Sequence, residues 1–376
     1  NSDRHLQTDL IQTLYDRTSP IEVLVAASRF APEAIPALRA HGRRIELGPA
    51  HTVRSILLTT MTLRTGGVSG VLLAQARLLS AAGYSVTVLA RRTGSDATLV
   101  PPGIEFVEMV SQDRASRLAE WAEICRTRDI DLVVDHQILY TRDWPEYALA
   151  ALSAGAATVG WVHNFAGRPI YDLKDLHSLL KENLHLLSNL VVLSPLDVAF
   201  WKLRGVQHAV YLPTPPSPLL LDLAEKPVRK EAPNGPIELI WWGRLEQRTK
   251  RVLDLIEVAR ELQTREVDFH LTVVGPEWEG LTIAEFNGIA DRVGLADRVE
   301  AVGPLHGAAL VDAIDRAHVA LSTSVIEGYP LTLPEAQSRG LPVFMYELPW
   351  LALVEDNGGI VSVPQGEPGE FVHEHR

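Results

Sequence analysis

Short apolar runs alternate with stretches of helical spacing along most of this chain. Residues 55–61, Ser-Ile-Leu-Leu-Thr-Thr-Met, form an apolar run of strand length. A glycine-rich turn at 63–70 follows, then 71–82 repeats apolar residues at helical spacing and stops at Gly83, and 84–90 is the next apolar run. Strand, crossover helix and strand in this order define a βαβ unit, whose parallel sheet is buried on both faces. The same alternation predicts strands at 104–107, 131–135, 158–163 and 189–193, and helices at 116–126, 147–153 and 171–187. Residues 51–212 therefore read as one doubly wound α/β domain. Residues 212–218, Leu-Pro-Thr-Pro-Pro-Ser-Pro, hold four prolines in seven positions. Such a run is extended and semi-rigid, which makes 213–235 a linker. Beyond it the alternation restarts, with strands at 237–242, 269–274, 299–302, 319–322 and 341–345, helices at 251–263, 283–293 and 307–316, and one more from Leu331. Residues 236–376 are thus a second domain of the same kind. Residues 1–50 fit neither pattern: candidate helices lie at 6–15 and 32–41, and the run at 21–26 suits a strand or a helix. They are an N-terminal extension of unknown role, an added cap or edge element.

Composition narrows the function. A chain of 376 residues, 46% hydrophobic, suffices for two cores. Its net charge of −12 excludes a general nucleic-acid binder, which needs a basic surface to displace phosphate counterions. Any phosphate site must be a local basic pocket. Cys125 is the only cysteine, so there is neither an internal disulfide nor a thiolate metal cluster, and a reducing cytosol fits best. The longest apolar run, 148–162, is broken by Ser153, Gly155 and Gly160 and is too short for a membrane span. No signal peptide is evident, although the chain opens on Asn1 rather than Met. The acidic balance does not indicate docking to anionic lipid; the expected location is cytoplasmic, with a peripheral place at the inner membrane face left open.

The chemistry concentrates in residues 322–336, Ser-Thr-Ser-Val-Ile-Glu-Gly-Tyr-Pro-Leu-Thr-Leu-Pro-Glu-Ala, which run from a strand into a helix. Two carboxylates, Glu327 and Glu335, flank a Gly328-Tyr329-Pro330 turn. Pro330 suits a helix start, so Leu331 onward is expected to be helical with Glu335 inside. That geometry separates the acids by about 10–15 Å, comparable to the reach from sugar to ribose in a nucleotide-sugar. Backbone N–H groups between them suit a diphosphate, with Thr332 adding a hydroxyl. Upstream, Gly243-Arg244-Leu245 closes a strand and Lys250-Arg251 opens the next helix, an arginine fork and a lysine point charge able to neutralise a diphosphate.

Glu327-x7-Glu335 followed by Ala336 and Gly340-Leu-Pro-Val343, together with Gly243-Arg244 and Lys250, resembles the signature of retaining glycosyltransferases of family 4, the group 1 type. The resemblance spans roughly residues 56–363 and is strongest at 242–343. It implies the GT-B fold, two Rossmann-like doubly wound domains facing a central cleft, with the nucleotide-sugar held chiefly by the C-terminal one. It implies that Glu327 approaches the donor sugar, Glu335 binds the ribose hydroxyls, and Arg244 with Lys250 clamps the phosphates. Gly328, Tyr329, Leu331 and Thr332 would line the diphosphate, while Gly275 and Leu305, at two neighbouring strand ends, would border the base. Gly66-Gly67, in the first strand-to-helix turn, would lie over the donor phosphates and the acceptor. The spacing Gly66, Gly67, Gly70 is not the dinucleotide fingerprint. His163 would hold a sugar hydroxyl, with His136, which ends the preceding strand, as its rival.

The implied reaction moves a sugar from a nucleoside-diphosphate donor to a hydroxyl of a glycan, glycolipid or other acceptor, with retention and without metal or cofactor. Asp129-Ile-Asp131 looks like a metal-binding DxD but reads as the polar lip of a strand, and His373 and His375 lie in a charged tail. Trp241-Trp242 reads as packing rather than a sugar platform. One departure stands out: the helix with which these enzymes usually end, crossing back onto the first domain, is not evident after Val363. A nucleotide-sugar 2-epimerase and a non-catalytic nucleotide-sugar-binding module remain alternatives, with a nicotinamide enzyme third. Donor base, sugar, acceptor and oligomeric state are not written in the sequence.

Overall fold

The computed structural model describes residues 13–14, 17–42, 52–64, 66–163, 175–215, 217, 230, 232–278, 280–348 and 358–372. Contacts divide the chain into two units, Asn1–Pro215 and Pro216–Arg376. The first contains α1 (Pro20–Phe30), α2 (Ile35–His41), β1 (Ser55–Thr60), α3 (Gly67–Ala81), β2 (Ser85–Ala90), β3 (Glu105–Glu108), α4 (Arg114–Thr127), β4 (Leu132–Asp135), α5 (Trp144–Ser153), β5 (Ala157–Trp161), α6 (Leu176–Asn183), β6 (Asn189–Val192), α7 (Pro195–Leu203) and β7 (Ala209–Tyr211). The second contains β8 (Ile237–Trp242), α8 (Asp254–Thr264), β9 (Phe269–Val274), α9 (Ile283–Arg292), β10 (Val299–Gly303), α10 (Gly307–Arg316), β11 (Val319–Ser322), α11 (Thr332–Ser338), β12 (Val343–Tyr346) and β13 (Ile360–Val363).

Both sheets are parallel and wound in the same way, β3-β2-β1-β4-β5-β6-β7 and β10-β9-β8-β11-β12-β13. Each strand order reverses once, between β1 and β4 and between β8 and β11. Loops leaving the two strands at such a switch point part to opposite faces and leave a crevice at the carboxyl ends. The second unit shows it in its pairing. β8 and β9 stay in register out to Trp242 and Val274, whereas β8 pairs β11 only at Leu239–Val319 and Ile240–Ala320. Burial on both faces accounts for the unbroken apolar runs: Leu239 and Trp241 enter one core cluster, Ile240 and Trp242 the other.

The ends of β8, β9 and β10 approach closely. Gly243 donates its N–H to the Val274 carbonyl (3.0 Å) and Gly275 donates to that of Gly303 (2.9 Å). A Cβ on Gly275, where φ is +152°, would lie 1.6 Å from the Gly243 carbonyl oxygen, so only glycine fits.

The N-terminal extension is helical where it is described. Ser19 and Glu22 form a capping box for α1, which settles residues 21–26 as helix. Val23, Leu24, Ala27, Ile35 and Leu38 join the core cluster of Trp121, Trp144 and Tyr147 on α4 and α5. A buried acid pins the arrangement: Glu146 Oε1 accepts from Arg39 Nε (2.9 Å) and pairs with the guanidinium of Arg114. The helix expected at 6–15 lies outside the described residues apart from positions 13–14.

Several boundaries differ from the sequence expectation. The turn at 63–70 is helical from Gly67, with Gly70 N–H bonded to the Gly66 carbonyl (2.8 Å), because packing of Leu72, Leu73 and Ala76 onto the sheet outweighs the poor helix propensity of glycine. The expected helix at 171–187 is α6 followed by a 3₁₀ turn at Leu184–Leu186, and 171–174 lie outside the described residues. The helix expected from Arg251 starts at Asp254, since Arg251 takes a left-handed φ of +52°. Helix α7 and strands β7 and β13 were not anticipated, nor was a 3₁₀ turn at Pro368–Val372 that buries Phe371. Of the proline-rich linker at 213–235, much lies outside the described residues. No described helix is long and apolar enough to cross a membrane.

Glu146→Ala leaves two guanidinium groups beside an emptied, buried carboxylate position. It should destabilise the first unit by about 3 kcal/mol or more, read as a lowered urea midpoint, and should open α1 and α2 to trypsin at Arg29 and Arg39; unchanged melting and digestion would show that the acid anchors nothing.

Candidate functional site

The loop after β8 is built before any ligand is considered. Glu246 is buried and accepts from Thr249 N–H (2.9 Å) and from the Thr249 hydroxyl. Gln247 Oε1 accepts from Leu253 N–H (2.9 Å). Arg251 pairs with Asp254 in the first turn of α8, and the Tyr346 hydroxyl donates to the same carboxylate (2.8 Å). This loop is stitched across the switch point to the loop after β11. The Thr323 hydroxyl donates to the Lys250 carbonyl (2.8 Å), and Val325 N–H donates to that of Thr249 (2.9 Å).

That stitching brings Lys250 and Glu327 together. Their ammonium and carboxylate form an ion pair, and both side chains remain partly exposed. Glu335 lies in the first turn of α11, buried, with Oε2 accepting from the indole N–H of Trp242 (2.8 Å) and the carboxylate also bonded to the Ser217 hydroxyl. Burial pushes its pKa above the usual 4.5, and the two hydrogen bonds pull it partway back. Arg244 joins neither acid: its guanidinium carbon sits 4.4 Å from the ring centre of Trp278. Pro330 is buried, while Gly328, Leu331 and Thr332 are half-buried. Tyr329 and Leu305, both partly buried, pack against the core cluster of Trp242 and Leu333.

In the first unit, Gly66 is the N-cap of α3 and Gly67 its first residue, both exposed at the carboxyl end of β1. At the neighbouring strand ends, His136 Nδ1 and His163 Nε2 lie 2.8 Å apart, the rings stacked at 5.0 Å. Burial pushes the His163 imidazole down to about 3, and burial followed by its neighbour holds His136 well below 6.5. Both are therefore neutral near pH 7, so the shared bond needs one N–H and one lone pair. His136 Nε2 is buried with no hydrogen-bond partner. A bare lone pair is tolerated there better than an orphaned N–H, which assigns the His136 proton to Nδ1 and that of His163 to its own Nδ1. Rather than rivals, the two histidines are one unit. Beneath them Asp135 pairs with the buried Arg91, whose guanidinium carbon lies 4.3 Å from the Tyr147 ring centre.

Asp131 accepts from Arg54 N–H (2.7 Å) and Ser55 N–H (3.0 Å), which makes it a strand clamp. Among the described residues no cluster of three His, Cys, Asp or Glu could hold a metal ion; His373 and His375 lie outside them. Sequence reasoning passed over Glu246, Thr323 and Trp278, whose residue types carry no motif. It also treated Trp242 as packing alone, which holds for Trp241 but not for the indole bonded to Glu335.

Residues 236–375 match the family model for glycosyl transferases group 1. A D-inositol 3-phosphate glycosyltransferase of Catenulispora acidiphila is 32% identical over 116 residues, 30% of this chain and 27% of that protein, so the match spans about a quarter of the relative's length. Among solved structures, Anabaena HepE in complex with UDP-glucose is 16% identical with a TM-score of 0.68, covering 84% of this chain and 87% of that one. The lipopolysaccharide outer core galactosyltransferase WaaB is 18% identical with a TM-score of 0.61, covering 85% and 88%. Both units thus have the fold expected from the sequence, that of the GT-B glycosyltransferases.

The histidine pair has a pH signature. Because the folded pKa of His163 lies below the unfolded 6.5, the unfolded chain binds the proton first. Stability should be full above pH 6.5 and fall as pH drops toward 3, by up to about 1.4 kcal/mol per pH unit for each histidine. Urea unfolding at pH 7 and pH 5 should show this loss, smaller in His163→Asn; equal slopes in the two proteins would refute the assignment.

Proposed function

We propose, from a second unit that matches the group 1 glycosyl transferases and two units that share the GT-B fold, that this chain moves a sugar from a nucleoside diphosphate to an acceptor hydroxyl. The reaction proposed is metal-independent and retains configuration at the anomeric carbon. The observation that carries the reading is the Lys250–Glu327 pair at the switch point of the second sheet. A cation there can meet a phosphate, and a carboxylate beside it can meet the sugar that the phosphate carries.

The bond that breaks joins the anomeric carbon to a phosphate oxygen, and the bond that forms joins that carbon to the acceptor oxygen. Negative charge grows on the departing diphosphate, where fixed cations stabilise it more than they stabilise the intact donor. Lys250 is assigned this task, with Arg244 as a second cation swung from the face of Trp278. The departing oxygen takes the proton of the acceptor hydroxyl, so no separate base is required. Glu327 balances positive charge at the anomeric carbon and orients sugar hydroxyls. Glu335 accepts from the ribose diol. Backbone groups at Gly328, Tyr329, Leu331 and Thr332 line the diphosphate, and Gly275 and Leu305 border the base. In the first unit, the Nδ1 proton of His163 suits a hydroxyl of the donor sugar, and Gly66 and Gly67 offer close backbone approach to phosphate and acceptor.

HepE, which binds UDP-glucose, and S. aureus TarM, solved with UDP and alpha-GlcNAc-glycerol, favour a UDP-sugar as the first donor to try and a glycan or other hydroxylated acceptor. The full chain is incubated with UDP-, GDP- and ADP-sugars, with and without sugar and glycerol acceptors, and nucleoside diphosphate release is followed. Acceptor-dependent release is expected for one donor class. Lys250→Ala and Glu327→Ala should each lower it by about a hundredfold or more with circular dichroism unchanged. Conversion of the donor without any acceptor would indicate an epimerase, binding without turnover a silent module, and full activity in both variants would remove the site.

A further inference from the structure

Glu335 is held in a way that its assigned role alone does not explain. Its carboxylate is buried under two donors from distant parts of the chain: the indole N–H of Trp242, the last residue of β8, at 2.8 Å, and the hydroxyl of Ser217, itself buried, from the proline-rich stretch ahead of the second sheet. Pairing of the indole is not a mere packing default here. Among the described residues the buried indole N–H groups of Trp121, Trp144 and Trp161 meet no hydrogen-bond partner, whereas that of Trp242 does.

A carboxylate offers about four lone-pair directions. Two neutral donors occupy two of them, leave two for a ligand, and fix the plane in which those two lie. They also add no charge to compete with a diphosphate. A ribose diol presents two hydroxyl donors at a fixed spacing, so its recognition depends on that plane being held. We propose that Trp242 and Ser217 are positioning residues that orient Glu335 for a vicinal diol, and that they set the preference of the second unit for ribonucleoside over deoxynucleoside diphosphates. Neither touches the nucleotide; each acts through the acid. This rests on the reading that the second unit binds a nucleoside diphosphate. It adds that Ser217, ahead of the second sheet, supports the acid of the nucleoside site.

The test measures affinities of the full chain by calorimetry for UDP, GDP and ADP, then for the 2′,3′-dideoxy counterpart of whichever binds best. The parent should prefer the ribonucleotide by about tenfold or more. Ser217→Ala, which removes a single hydroxyl, and Trp242→Phe, which keeps most of the packing, should each shrink that preference about three- to tenfold by weakening the ribonucleotide while leaving the dideoxy affinity unchanged. Ser217→Thr should restore it, and Glu335→Gln should abolish it. A merely structural role would lower both affinities together and leave the ratio intact, and that result would overturn the proposal while the nucleotide reading stands. Should Trp242→Phe melt early, Ser217→Ala alone decides. A parent that binds all three nucleotides without regard to the ribose hydroxyls would also overturn it; a parent that binds none would instead overturn the function proposed above and this inference with it.

Discussion

The reversal of strand order between β8 and β11 is the constraint on which the second unit depends. Parallel strands wound outward in both directions send the chains leaving β8 and β11 to opposite faces, and the ladder between them ends after two residue pairs. Two loops then face each other with backbone groups unmatched by the sheet. The structure satisfies these with cross-loop bonds, Thr323 to the Lys250 carbonyl and Val325 to that of Thr249. An ammonium and a carboxylate on flexible stems would gain little from meeting at an open surface. With the Lys250 carbonyl bonded to Thr323, and Val325, two residues before Glu327, bonded to Thr249, the pair meets with much of the ordering cost already met by the loop framework.

The two acids of residues 322–336 are electrostatically unlike. Glu327 is partly open and shares its charge with a cation, whereas Glu335 is buried and served only by neutral donors. An ammonium shared with a carboxylate is open to competition from an added anion. A carboxylate held by neutral donors is fixed by the geometry of its hydrogen bonds. In the first unit the ends of β4 and β5 carry two stacked imidazoles held neutral by burial.

Much of this architecture was legible in the chain, because both sheets are buried on both faces and their strands appear as unbroken apolar runs. The spacing from Glu327 to Glu335 and the Gly243-Arg244 and Lys250 cluster were equally visible, and the strand order brings the lysine to the first acid. What escaped has a common cause. Helix α7 announces itself only by Ser194-Pro195, whose hydroxyl accepts from Asp197 N–H at 3.0 Å, a short local signal beside weak periodicity. Arg251 was expected inside a helix because nothing local reports a left-handed residue; the turn is imposed by Glu246, Gln247 and Asp254 acting together. The bond from Trp242 to Glu335 joins residues 93 positions apart, and no pattern in a single sequence marks a pair so separated.

The 3₁₀ turn at Pro368–Val372 lies far along the chain from the lysine loop, yet a short relay connects them. Phe371 meets Tyr346 edge-on at 5.1 Å, the Tyr346 hydroxyl reaches Asp254, and Asp254 grips Arg251, the neighbour of Lys250. Each link is packed or hydrogen-bonded, and none is itself placed at the reacting bond. The turn and the lysine loop therefore belong to one connected set of contacts, in which the buried Phe371 ring backs the tyrosine that holds Asp254.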